Sequence, residues 1–141
     1  MGILSSTDAA RVKEMLAGMV HPVRLAFFTQ TLNCETCEPA GQILRELAAL
    51  TDKIAIEEHN FLLERDLAAA YGVNRVPAIV PIGTQDHGIR FFGIPSGYEF
   101  LSLLDAIMLV SGRDSGLTDE SHALLAALPS ALTLQVFVTP T

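Results

Sequence analysis

Tryptophan is absent from this 141-residue chain, and cysteine occurs only twice, as Cys34 and Cys37. Two cysteines so close together do not make the framework of a small secreted domain, which uses more of them at wider spacing, and a chain of this length can bury enough apolar surface without crosslinks. Basic residues are scarce as well. Nine Lys plus Arg against sixteen Asp plus Glu leave a net charge of -7, and no basic cluster exists to neutralise phosphates, so nucleic-acid binding is not expected. Mean hydropathy is positive (+0.38), yet charges, Gly or Pro break every apolar run short of the ~18 residues that cross a bilayer, so no membrane span is expected. The first residues lack the basic patch, apolar core and small-residue cleavage site of a secretory signal, and Gly2 with Ser6 gives only a short match to an N-myristoylation pattern. A cytoplasmic protein is expected. With half of its residues apolar and 18% charged, the chain has the composition of one globular domain with at most a fragment of a second.

Periodicity lays out the elements. Ser6, Thr7 and Asp8 are N-cap candidates for a helix carrying Val12, Met15, Leu16 and Met19, which His21 and Pro22 end. Val23 to Thr29 is short and apolar, the pattern of a strand covered on both faces. The cysteine pair follows, and from Glu38 onward Ile43, Leu44, Leu47 and Leu50 mark an amphipathic helix, with Pro39 tolerable in its first turn. Lys53 to His59 reads as a strand, Phe61 to Tyr71 as a helix ended by Gly72, and Ala78 to Ile82 as a strand. A polar turn, Thr84 to Gly88, leads into a fourth strand, Ile89 to Phe92, and Gly97 to Val110 forms a helix over one face of the sheet. Ser111 to Gly116 has the composition of a linker. Beyond it, Leu117 to Leu128 reads as a helix and Leu132 to Val138 as a strand, so the tail repeats the helix, Pro, strand, Thr order of the start of the chain.

The cysteine pair lies where a strand turns into a helix, so both sulfurs fall within disulfide reach. Free N–H groups and the positive end of the helix dipole favour thiolate there, which makes Cys34 the natural nucleophile and Cys37 the resolving thiol. Glu35 adds a negative charge that moderates this effect. Two other readings stay open: half of a zinc site, against which the four histidines show no ligand spacing, and a pair of inert buried thiols. No metal and no cofactor are expected. Pro77, preceded by Val76, stands at the start of the third strand, where a cis peptide bond would present backbone groups to an extended substrate; a plain strand-leading proline fits equally.

These residues resemble the thioredoxin superfamily, and more narrowly the glutaredoxin-like protein disulfide oxidoreductases with two tandem thioredoxin-fold units. The matching pieces are Phe27-Phe28-Thr29 before Cys34-Glu35-Thr36-Cys37, then Val76-Pro77-Ala78, and Gly93-Ile94-Pro95-Ser96-Gly97-Tyr98-Glu99-Phe100, the most specific of them. Phe137 to Thr141 resembles the lead-in to a second cysteine pair that this sequence does not contain. The chain is also similar to the N-terminal domain of the flavoprotein component of alkyl hydroperoxide reductase, whose first unit lacks the pair present here. The resemblance implies an α/β, three-layer fold with a four-stranded mixed sheet over residues 1-112, and in residues 113-141 an incomplete α-β extension that begins a second unit. It implies Cys34 as attacking thiol, Cys37 as resolving thiol and Val76 with Pro77 as the substrate-binding cis-proline segment. Thioredoxins place a buried acid beneath the cysteines; Val23 to Thr29 has none, and Glu58 is the nearest substitute as proton acceptor, against the plainer reading of a strand-end glutamate in water. The expected activity is thiol–disulfide exchange on protein disulfides, with an unidentified reductase as electron donor. The alternative is a non-catalytic interaction module. The strand-like tail is expected to add to a sheet edge or to pair with a second copy as a homodimer.

Overall fold

Residues 2–139 are described by the computed structural model. Ser5 caps helix α1 (Ser6–Leu16), its hydroxyl accepting the Asp8 N–H, and Val12 and Leu16 are the buried positions of that helix. Then come β1 (Val23–Thr29), α2 (Cys37–Ala48), β2 (Ile54–Asn60), α3 (Arg65–Ala70), β3 (Ala78–Ile82), β4 (Phe91–Phe92), α4 (Tyr98–Gly112) and α5 (Asp119–Ala126). The four strands form one sheet in the order β2-β1-β3-β4. β2 runs parallel to β1, while β3 is antiparallel to β1 and β4 antiparallel to β3. The mixed four-stranded sheet that the sequence implied is the one that forms.

β1 is central because it is apolar on both faces. Leu25, Ala26, Phe27 and Phe28 are each at most 1% exposed, and alternation along a strand sends them in opposite directions. Val23, Leu25 and Phe27 pack with Val12 and Leu16 of α1, Ala40, Leu44 and Leu47 of α2, and Leu103, Leu104 and Ile107 of α4. Ala26 and Phe28 pack on the other side with Ala68 of α3, Val73, and Ala78 and Val80 of β3. Full burial of each large side chain stabilises the fold by about 1.5–3 kcal/mol. α2 approaches β1 closely at Gly41, where a Cβ would stand 3.1 Å from the Phe27 ring and 3.0 Å from the Arg45 guanidinium.

Three local readings are corrected. The helix expected over 61–71 shrinks to Arg65–Ala70, because Asn60 Oδ1 accepts the N–H groups of Leu62 and Leu63 and holds them in a turn. The strand expected over 89–92 is reduced to Phe91 and Phe92. Arg90 is drawn away by Asp86, which it grips with two guanidinium nitrogens at 2.8 and 2.6 Å, and by the Tyr71 carbonyl. Ser111, assigned to a linker, is instead buried in the last turn of α4. Its hydroxyl accepts the N–H groups of Val20 and His21 at 2.9 and 3.0 Å and donates to the His21 carbonyl at 2.7 Å, tying the end of α4 to the turn before β1.

The tail departs further. α5 forms, with Thr118 capping Ser121, but it buries no residue, and 131–139 form no strand and lie exposed. Leu134, Val136 and Phe137 are each more than 80% exposed. The expected attachment to a sheet edge is absent among the described residues: β2 and β4 remain the edge strands. A single strand has no backbone partners of its own, so its sequence preference alone does not order it. Pro140 and Thr141, which belong to the segment resembling a second cysteine lead-in, lie outside the described residues.

Ser111→Ala is expected to lower the unfolding free energy in urea by about 1–3 kcal/mol, because two N–H groups lose their acceptor in a buried site. A loss under about 0.5 kcal/mol, the range of ordinary surface changes, would show that the hydroxyl is not the tie described. A chain ending at Gly112 is expected to keep the urea midpoint of the full chain, since the tail buries none of its large side chains. A clear drop in midpoint would show that the tail stabilises the unit after all.

Candidate functional site

β1 delivers the chain to the site at Thr29, whose carbonyl accepts the Phe61 N–H at 2.8 Å. The following loop is shaped by Gln30, which donates to the Leu32 carbonyl, and by Asn33 with φ 57°, a conformation Asn tolerates better than most residues. α2 starts at Cys37, one residue earlier than the apolar pattern placed it, with Thr36 at the cap position and no side chain capping the helix. The first-turn N–H groups and the positive end of the α2 dipole therefore face the cysteine loop without a carboxylate or hydroxyl cap. Pro39 is accommodated in that first turn, where its missing N–H costs nothing.

Cys34 and Cys37 are joined as a disulfide, with Cα atoms 5.4 Å apart. The two sulfurs are not equivalent. Cys37 is 2% exposed, inside the first turn of α2, whereas Cys34 is half-buried and lines an open cleft with Thr29, Gln30, Thr31, Glu38, Glu58, Asn60 and Glu64. Tight packing of α2 on β1 at Gly41 covers the helix face that carries Cys37, and the preceding loop leaves Cys34 at the rim.

Three of the cleft residues are carboxylates. Arg45, one face along α2, reaches Glu38 at 2.6 Å and Glu58 at 3.7 Å. Glu58 is thus exposed and ion-paired at the cleft wall, with 56% of its side chain accessible. Glu64 accepts from His59 Nδ1 at 3.0 Å and from the Asn60 N–H at 2.7 Å. The His59 hydrogen bond is the larger of these in holding the Glu64 carboxyl below its ordinary range. His59 also stacks on Phe28, ring centroids 5.1 Å apart, which connects the cleft wall to the core. Glu38, Glu64 and Arg45 escaped the sequence reading; their nearest signal was the wide spread of acidic residues across three separate elements.

The peptide bond between Val76 and Pro77 is cis. Pro77 is buried and its carbonyl accepts the Gly93 N–H at 2.9 Å. Since Phe28 is paired with Ala78 in the antiparallel register of β1 and β3, Val76 and Pro77 stand at the same end of the sheet as the loop that leaves Thr29. Among the described residues no group of three or more His, Cys, Asp and Glu side chains is arranged to hold a metal ion, and no helix is long and apolar enough to cross a membrane.

Several known proteins are similar to parts of this chain. An NADH dehydrogenase of Bacillus subtilis is 38% identical over 79 residues, 56% of this chain and 13% of that protein. An alkyl hydroperoxide reductase component of Pseudomonas aeruginosa is 35% identical over 75 residues, 53% of this chain and 12% of that protein. Among solved structures, a protein disulfide oxidoreductase of Aeropyrum pernix matches 88% of this chain and 55% of its own at 27% identity and a TM-score of 0.79. The N-terminal N/C domain of the alkyl hydroperoxide reductase AhpF of Enterococcus faecalis matches 89% and 61% at 26% identity and a TM-score of 0.80. The chain spans about one eighth of the curated relatives it matches and little more than half of these structures. No family model matches it.

The depressed Glu64 pKa sets a direction for acid stability. A carboxylate held low in the folded state contributes stability above the unfolded value of about 4.3, and that contribution disappears as pH falls through the lower folded value. Glu64→Gln is expected to melt below the parent near neutral pH, with the gap closing below about pH 4. A gap that is constant with pH would show that the carboxylate charge is not what His59 and Asn60 hold.

Proposed function

We propose that this chain, a thioredoxin-superfamily unit carrying a Cys34–Cys37 pair, catalyses thiol–disulfide exchange on protein disulfides. The observation that carries the reading is the unequal exposure of the pair: a half-buried Cys34 at a cleft rim and a 2% exposed Cys37 inside the helix. In the reduced chain the Cys34 thiolate, favoured by the uncapped α2 N-terminus, attacks one sulfur of a substrate disulfide. A new bond joins Cys34 to that sulfur, and the other substrate sulfur leaves as thiolate and takes up a proton. The Cys37 thiol loses its proton and attacks the Cys34 sulfur, which restores the Cys34–Cys37 disulfide and releases the second substrate thiol. Two electrons pass from the chain to the substrate, and a dithiol donor must return them before the next turnover.

Val76 and Pro77 are assigned to substrate docking, on the grounds of their position at the loop end of the sheet. Glu58 is assigned to the cleft wall rather than to proton transfer at the buried Cys37, because its carboxylate is exposed and shared with Arg45. Residues 1-112 are the redox unit in this reading, and residues 113-141 are assigned as the opening of a second unit on the repeated order of sequence patterns alone, since 131–139 form no strand.

Cys34→Ser is expected to abolish dithiothreitol-driven reduction of insulin disulfides, and Cys37→Ser to accumulate a mixed disulfide through Cys34, visible as an added mass that reductant removes. In the reduced parent, iodoacetamide is expected to modify Cys34 well before Cys37. Equal rates for the two thiols, or no mixed disulfide in the Cys37 variant, would overturn the assignment of roles.

A further inference from the structure

We propose that the substrate disulfides are those flanked by basic residues, because the cleft into which the Cys34 sulfur opens is walled by carboxylates from three elements. This inference rests on the exchange reading above and specifies its substrate. Glu38 comes from α2, Glu58 from β2 and Glu64 from the turn before α3, and all three line the cleft with Cys34. Thr29, Gln30, Thr31 and Asn60 also line it, and among the described residues no cation lines the cleft. Glu35, next to Cys34 in the chain, and Arg65, next to Glu64, are both exposed and neither lines the cleft.

The neighbouring positive groups do not cancel this field. Arg45 is the guanidinium in contact with the wall, and its one charge is divided between Glu38 and Glu58. Glu64 is satisfied by a ring nitrogen and a backbone N–H, and its lowered pKa keeps it ionised. Lining carboxylates therefore outnumber that guanidinium by two. A substrate must bring its own disulfide within bonding distance of Cys34, which places the residues on either side of that disulfide against this wall. Lysine or arginine there meets net negative charge, whereas aspartate or glutamate meets like charge in a concave site. The same field disfavours an anionic leaving group near the rim, so the preference is carried by the flanking side chains and not by the exchange chemistry.

The test uses the full chain in its reduced form and two synthetic peptides of equal length, each holding one disulfide, flanked in one by Lys and Arg and in the other by Glu. A fluorophore and quencher across the disulfide report single-turnover reduction. At an ionic strength of about 20 mM the basic peptide is expected to react roughly tenfold faster than the acidic one, and at about 500 mM the two rates are expected to agree within about twofold. In Glu38→Gln/Glu58→Gln the low-salt preference is expected to shrink several-fold through slower basic-peptide reduction. The salt series on the parent stands even if that variant fails to fold. Equal rates at low salt, a faster acidic peptide, or a preference unchanged by salt would overturn the charge preference and leave the exchange reading standing. Failure of the reduced chain to react with either peptide would overturn the exchange reading, and this inference with it.

Discussion

The structure depends on one strand that is apolar on both sides. Phe27 and Phe28 are consecutive, both essentially unexposed, and point into different cores. A strand with one polar face would settle at a sheet edge or over a single layer; β1 has no such face between Leu25 and Phe28, so it must be central and must be covered twice. Helices α1, α2 and α4 cover one side, and α3 with Val73 covers the other. From this follow the end of the sheet at which the chain emerges at Thr29, the direction in which the cysteine loop leaves, and the seating of α2 that hides Cys37.

The same packing produces the difference between the two cysteines. At Gly41 a Cβ would stand 3.1 Å from the Phe27 ring, so the helix lies close to the sheet on the face that carries Cys37. Cys34, in the loop before the cap, stays at the rim. A pair of identical residues three positions apart thereby acquires an accessible sulfur and a protected one. Thr36 does not cap the helix with its side chain, and Glu38 is the acidic residue of that first turn, so the helix end and the cleft carboxylates act on the Cys34 sulfur in opposite directions.

The cleft also shows how a site takes its electrostatics from elements far apart in sequence. Glu38 stands twenty residues before Glu58, and Glu64 six after it; Glu38 meets the other two because β2 lies beside β1 in parallel register. Arg45 joins two of them, and His59 fastens the third while stacking on Phe28. The Glu64 side of the cysteine cleft is therefore anchored through His59 to Phe28 in the second core.

What the amino-acid sequence determined by itself was local or periodic. The apolar run of β1, the amphipathic patterns of α1, α2 and α4, the cysteine pair at a strand-to-helix turn and the Val76-Pro77 step were all readable, because each depends on residues within a few positions of one another. What the tertiary structure decided depended on partners distant in the chain. Ser111 looks like a linker residue until the N–H groups of Val20 and His21 are brought to its hydroxyl. Glu58 is a solvated, Arg45-paired carboxylate because α2 lies beside β2. Leu132 to Val138 has the composition of a strand and forms none, because a strand is stabilised by hydrogen bonds to a neighbour, and no residue pattern within the segment can supply that neighbour.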